Sequence, residues 1–288
     1  MIPGEFDYYA PSSVGEAIQL LSEHGMDAKL LAGGQSLIPA MRFRLSVPPV
    51  IIDINGLQQQ LGGVSEDNGY LSIGAMTRES QLEESRVVQT KYHLLADAAK
   101  VIADPLVRNM ATVGGNIAHA DPANDHPAVM LAYNAEVIAQ GPSGQRAIAI
   151  DDFFTNFFEN SLNEDEILVE IRIPRPASHS GGAYVKFERK VGDYAISAAG
   201  IQLTMDGDVC SAARIGLTNV SAVPMRATDA EQILIGQRLT DGVIEEAGRT
   251  AAAQCDPSAD LRGSVAYKRD LTRVLLKRAI QRAAQRAM

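Results

Sequence analysis

The chain has 288 residues, of which 46% are hydrophobic and 21% charged, with a formal net charge of −9. That length predicts two or three packed subdomains with substantial cores, and the composition is that of an ordinary globular protein. The acidic balance argues against a general nucleic-acid binder, because phosphate contact needs clustered Lys and Arg.

The N-terminal stretch MIPGEFDYYAPSS lacks the basic start and long apolar run of a signal peptide. No later stretch approaches the ~20 apolar residues of a membrane span, so a cytoplasmic protein is expected. Ser13-Val14-Gly15-Glu16 has the spacing of a capping box, with Ala17, Ile18, Leu20 and Leu21 at helical intervals and Gly25 as a stop. Residues 28–32 read as a short strand entering Gly33-Gly34, and VIIDI at 50–54 as a second, buried strand. YLSIGAM at 70–76 predicts another strand, followed by a helix from near Thr77 and a helical run at 93–102. After a second glycine loop comes a helix carrying Pro127, Val129, Met130 and Leu131, then strands at 135–139, 146–150 and 167–173. IPRPASHSGG at 173–182 is the candidate linker.

Beyond it, AYVKFERK, YAISAAGIQLTM and VCSAARIGLTNV predict three strands of a meander, followed by helices near 227–235, 241–254 and from about 266 to the end. The last helix carries Lys268, Arg269, Arg273, Lys277, Arg278, Arg282 and Arg286, read as a solvated basic face rather than a docking surface. Cys210 and Cys255 are too few for a disulfide framework or for an iron–sulfur cluster, which takes roughly four thiolates. The five histidines include no H-E-x-x-H pair, and no metal site is expected.

The two glycine loops carry the chemistry. LLAGGQSLIPAMRFRL at 30–45 and NMATVGGNIAHADPANDHP at 109–127 both run into two glycines and a polar amide, Gly33-Gly34-Gln35-Ser36 and Gly114-Gly115-Asn116. Neither is a Walker A motif nor G-x-G-x-x-G. Without Cβ atoms such a backbone presents successive N–H groups to an anion, and two loops would hold a diphosphate from two sides; a pair of plain turns is the alternative.

Five segments in order, FDYYAPSSVGEAIQLL, AGGQSLIPAMRFRL, IADPLVRNMATVGGNIAHADPANDHPA, YVKFERKVGDYAISAAG and ARIGLTNVSAVPMRA, resemble the FAD-binding medium subunits of molybdenum hydroxylases. The resemblance spans nearly the whole chain and is strongest to the aerobic carbon monoxide dehydrogenase type. It implies an α+β fold. A vanillyl-alcohol-oxidase-like FAD-binding portion, residues 1–177, would comprise two subdomains of about 1–55 and 56–177. A C-terminal domain, 178–288, would combine a three-stranded antiparallel sheet with a helical bundle.

The resemblance also implies residue roles. Ala32, Gly33, Gly34, Gln35 and Ser36, with Thr112, Gly114, Gly115 and Asn116, would bind the FAD diphosphate through backbone N–H groups. Ile102 would lie against the adenine and Leu168 would help position it, with core packing an equal alternative for each. Asp125 would contact the ribose or nearby polar atoms, unless it is the N-cap of the Pro127 helix. Lys186, as a cation near the flavin, would stabilise the anionic reduced ring. Tyr194, preceded by Asp193, would cover one face of the isoalloxazine. A surface lysine and a half-buried tyrosine are the plainer alternatives.

Position 35 is Gln where several carbon monoxide dehydrogenases carry His, which weakens carbon monoxide as the substrate against N-heterocycles and aldehydes. With no Cys or His attachment motif, FAD is expected to be noncovalent. A molybdenum cofactor in a large subunit and two-iron clusters in a small subunit would do the substrate chemistry, in a dimer of heterotrimers. This chain would pass electrons through FAD to a quinone, a cytochrome, oxygen or NAD. A self-sufficient FAD-dependent oxidase or dehydrogenase and a non-catalytic nucleotide-binding assembly protein are the rival readings. Peripheral membrane contact through the basic last helix is left open.

Overall fold

The computed structural model describes residues 2–288. Its first part comprises β1 (Asp7–Tyr9), α1 (Val14–His24), β2 (Ala28–Leu31), α2 (Leu37–Arg42), β3 (Val50–Asp53) and α3 (Gln58–Leu61). The strands form a parallel sheet in the order β1-β3-β2. Ser13 caps α1, its hydroxyl accepting from Glu16 N–H at 3.1 Å. The Glu16 carboxylate reaches back one residue further than a capping box requires, to the Ser12 N–H at 2.7 Å and its hydroxyl at 2.9 Å. Ala17, Ile18 and Leu21 turn inward to pack with Val50 and Ile52. The short α2 was not foreseen from the sequence; Pro39 lies in its first turn, where a missing N–H is tolerated.

The second part runs through β4 (Val64–Asp67), β5 (Tyr70–Gly74), α4 (Glu79–Glu84), α5 (Arg86–Lys91), α6 (His93–Ala99), α7 (Pro105–Arg108), α8 (Val113–His119) and α9 (Asp125–Tyr133). It continues with β6 (Glu136–Gly141), β7 (Gly144–Ala149), β8 (Phe154–Asn156), β9 (Glu159–Asn160) and β10 (Ile167–Pro174). A five-stranded antiparallel sheet has the order β4-β5-β10-β6-β7, with a bulge in β10 between Leu168 and Glu170. Every residue of α9 is buried, so this helix shows no amphipathic stripe.

The third part holds β11 (Ser180–Glu188), β12 (Ala195–Asp206), β13 (Val209–Thr218), β14 (Met225–Arg226), α10 (Thr228–Leu234), α11 (Asp241–Gln254) and α12 (Val265–Ala287). α9 packs against β12 and β13, which is what closes its second side. The predicted three-stranded meander is an antiparallel sheet of four strands, β11-β12-β13-β14. The added edge strand pairs only Met225 and Arg226 with Leu217 and Gly216, too short to show an alternating pattern.

The basic face of the last helix also differs from expectation. Lys268, 2% exposed, is paired with Asp260 at 2.8 Å; Arg273 and Lys277 meet Glu245 of α11, and Arg286 meets Asp97 of α6 at 2.7 Å. Asp260 lies just before the helix, but Glu245 and Asp97 come from segments distant in sequence. Among the described residues no helix is long and apolar enough to cross a membrane.

Candidate functional site

β2 delivers the chain to Ala32, and the turn at 32–36 hands it to α2. Gly33 is a glycine by necessity: a Cβ there would overlap the Met110 carbonyl oxygen and lie 2.7 Å from Ala111 Cα. Gly34 has φ +71°, in the left-handed region. Asn55 Nδ2 fixes the Ala32 carbonyl at 2.7 Å, and Gln35 Nε2 braces the Gly33 carbonyl at 3.1 Å. With the carbonyls held, the successive N–H groups of Gly33, Gly34, Gln35 and Ser36 have no acceptor among the described residues. Four free donors in one tight turn form an anion-binding concavity.

The second loop differs. Thr112 caps α8 by accepting from Gly115 N–H at 3.2 Å, and Asn116 N–H bonds the Thr112 carbonyl at 3.0 Å. Val113 N–H donates to Thr77 O and Gly114 N–H to Ala75 O, at 3.0 and 2.9 Å. Of the amides expected to meet the diphosphate here, those of Gly114, Gly115 and Asn116 are thus already engaged within the chain. Gly114 is glycine because a Cβ would come within 2.7 Å of Ala75, so it serves close packing. The loop nonetheless lies beside the first, since a Cβ on Gly115 would be 3.8 Å from the Ala32 methyl. Asn116 Oδ1 is buried and without a partner.

Asp125 is not the helix cap: Asn124 holds that position, its Nδ2 donating to the Asn116 carbonyl at 3.0 Å. The Asp125 carboxylate accepts from Tyr184 Oη at 2.6 Å and Lys186 Nζ at 3.0 Å. Burial pushes the Asp125 carboxyl up, opposed by the Lys186 charge. Lys186 has a side chain only 3% exposed, so it is no surface lysine. It also pairs with Glu188 at 3.2 Å and donates to the Val101 carbonyl at 2.9 Å. Its charge is therefore matched by two carboxylates rather than bare.

Ile102 follows directly and is buried, in a turn whose carbonyls accept from Arg108 Nη1. Gly192, at φ +83°, approaches Ala103 so closely that a Cβ would lie 3.1 Å away, which brings the Asp193-Tyr194 segment to the same turn. Asp193 accepts from Tyr194 N–H at 2.9 Å and Arg262 Nη2 at 3.0 Å. Tyr194 is 43% exposed, with one part of its surface open. Burial, then Asp121, pushes its hydroxyl pKa up. Leu168 sits in the apolar core with Leu71 and Ile73 and touches the site through its neighbour Val169, whose carbonyl accepts from Ala75 N–H.

A family profile for the FAD binding domain in molybdopterin dehydrogenase matches residues 4–176, and one for the CO dehydrogenase flavoprotein C-terminal domain matches 182–283. The carbon monoxide dehydrogenase medium chain of Hydrogenophaga pseudoflava is 44% identical over 98% of this chain and 98% of its own. The chain belongs to the FAD-binding medium subunits of the molybdenum hydroxylases. Among solved structures similar to this medium subunit, carbon monoxide dehydrogenase from Hydrogenophaga pseudoflava superimposes with a TM-score of 0.97 at 45% identity, covering 99% of both chains. Quinoline 2-oxidoreductase from Pseudomonas putida 86 gives 0.93 at 33%, covering 100% of both. The 6-hydroxypseudooxynicotine dehydrogenase complex subunit alpha of Paenarthrobacter nicotinovorans is 37% identical over 100% of this chain and 97% of its own.

The medium subunit's own residues fit a dinucleotide. The free amides at 33–36 suit a diphosphate, and the unpartnered Asn116 Oδ1 offers an acceptor beside them. Several residues that build the site carry no local signal. Asn55, Arg78 and Arg262 act through partners far along the chain, with Arg78 Nη2 donating to Asn55 Oδ1 at 2.8 Å. Tyr184 and the Glu79–His126 pair are equally hidden in the sequence, although charged residues inside apolar runs are a cue to buried pairing.

Proposed function

We propose that this chain is the FAD-carrying electron-transfer subunit of a heterotrimeric molybdenum/iron–sulfur hydroxylase. The observation that carries the reading is the run of unengaged N–H groups from Gly33 to Ser36, set against the wall formed by the second glycine loop. When bound, FAD supplies redox chemistry that joins one-electron clusters to a two-electron acceptor. The first loop would neutralise the diphosphate with dipoles, and Thr112, Gly114, Gly115 and Asn116 would shape the facing wall. Ile102 and Leu168 would border the adenine, and Asp125 would meet the ribose or adjoining polar atoms. Tyr194, its backbone fixed by Asp193, would shield the ring. Lys186 would present a charge moderated by Asp125 and Glu188.

Two buried cysteines, Cys210 and Cys255, are too few to ligate a cluster. The reading therefore assigns iron–sulfur clusters to a small subunit and the molybdenum cofactor to a large one, in a cytoplasmic dimer of heterotrimers. FAD is held noncovalently. The functional division falls near residue 177, and electrons leave for an external acceptor. Substrate choice belongs to the large subunit: relatives are named for carbon monoxide, 6-hydroxypseudooxynicotine and quinoline. The ion pairs along α12 leave membrane contact through that helix without support.

The test is a visible spectrum of the tagged chain, gently purified from its host, before and after dithionite. Flavin bands over a broad, bleachable iron–sulfur absorbance are expected. Flavin alone would favour a self-sufficient flavoenzyme, and an apo-protein that fails to take up FAD when reconstituted with its partners would overturn the reading.

A further inference from the structure

Among the described residues, Glu79 and His126 form a hydrogen-bonded pair from which solvent is wholly excluded: both side chains are 0% exposed, with Glu79 Oε2 2.8 Å from His126 Nε2. The pair lies where two halves of the site converge. Glu79 opens α4, and its N–H donates to the Ala111 carbonyl at 3.1 Å, next to Thr112. Arg78 before it bonds the Met110 carbonyl and Asn55 Oδ1, and Asn55 holds the Ala32 carbonyl. His126 follows Asp125, which accepts from Lys186, and Lys186 donates to Val101 beside Ile102. One train of bonds thus runs from the first glycine loop to Lys186, and the Glu79–His126 contact carries it from α4 to α9.

Packing alone does not call for such a pair. Apolar side chains of similar volume fill a buried space with equal or greater stability, whereas removing one partner leaves the other's buried polar group unsatisfied. Here Glu79 Oε1 and His126 Nδ1 are buried without partners, which adds a desolvation penalty. We propose that Glu79 and His126 are positioning residues whose bond fixes the spacing between the glycine-loop half and the Asp125–Lys186 half of the cofactor site. That spacing governs how long FAD is retained and the charge environment that Lys186 gives the flavin. The inference rests on the reading that the loops hold FAD.

The experiment uses the assembled holoenzyme. Glu79→Gln, His126→Gln and the double variant Glu79→Leu/His126→Leu are compared with Glu231→Gln, which breaks a partly buried pair with Arg226 that has no bond to this train. FAD release is followed by its fluorescence, the flavin midpoint potential by spectroelectrochemical titration, and stability by Tm. Both Gln variants are expected to release FAD roughly tenfold faster and to displace the potential. Glu231→Gln, at a comparable loss of Tm, does neither. The double variant recovers Tm but keeps fast release and the displaced potential. FAD release that follows Tm across all four variants would overturn the proposal, as would a double variant with wild-type retention and potential. A double variant that does not assemble also counts against it, because the pair is then needed for the fold itself. Gly33→Ala separates this from the underlying reading: if that variant keeps its FAD, the first glycine loop is not the anion cradle.

Discussion

A methyl group added at Gly33 would meet the Met110 carbonyl and Ala111 Cα, both backbone, whereas one added at Gly115 would first meet the Thr112 hydroxyl, which a rotation removes. Gly33→Ala is therefore expected to push the loops apart, costing about 1–3 kcal/mol and most of the bound FAD. Gly115→Ala loses the Thr112 cap, about 1 kcal/mol, and keeps FAD. Flavin content and Tm of the two variants check this; flavin loss in the opposite order would place the anion cradle at the second loop. Both glycine pairs are legible in the sequence, but which of them offers free amides is not, because Ala75, from another part of the chain, takes the Gly114 N–H, while Thr112 takes those of Gly115 and Asn116. The cysteines give a second residue-scale prediction. Burial pushes the Cys255 thiol from 9.0 up to about 11 and shifts Cys210 upward as well. A thiol that stays protonated when folded but ionises when unfolded favours the unfolded chain, so stability falls as pH rises from about 9 to about 11. At pH 8 neither thiol should react with iodoacetamide until denaturant is added, and labelling of the native protein would contradict this.

At the scale of elements, α12 is tied to the rest of the molecule at its last turn. Arg286 donates to both carboxylate oxygens of Asp97 on α6, at 2.7 and 3.0 Å, and to the Gly182 carbonyl at 2.6 Å. Arg286→Ala is expected to cost about 2 kcal/mol, since a bidentate, partly buried pair is lost and Asp97 keeps only Arg282, 3.5 Å away, and the Tyr184 N–H at 3.3 Å. Urea unfolding measures it; a change below about 0.5 kcal/mol would mean the helix end is held by apolar packing alone. Elements with a local signature were legible in advance: α1 from its cap, the meander strands from their length, and α10 to α12 from their spacing. Those that depend on distant partners were not. α2 is short and carries Pro39, and β14 pairs through two residues; α9 was expected as a helix, but not that every one of its residues is buried between its neighbours. The cations of α12 were plain, but the acids of α6 and α11 that neutralise them were not.

At the scale of the whole molecule, a self-sufficient dehydrogenase would need a base beside the flavin and a pocket for its own substrate. The charged groups assigned to the site are instead paired with one another: Lys186 with Asp125 and Glu188, and Asp193 with Arg189 and Arg262. Among the described residues no group of three His, Cys, Asp or Glu side chains is placed to hold a metal. Substrate identity is consequently illegible in this chain, and even the Gln35 difference is absorbed locally, where its amide braces Gly33. The expected behaviour is a separation of reducing ability. Loaded with FAD and freed of partners, the chain should be bleached by dithionite but not, under anaerobic conditions, by carbon monoxide, quinoline or an aldehyde. Adding back the large and small subunits should restore bleaching by whichever compound the large subunit accepts. Stopped-flow absorbance of the isolated chain decides the matter: rapid flavin bleaching by an organic or gaseous substrate would require a base that the paired charges do not supply, and would return catalysis to this subunit.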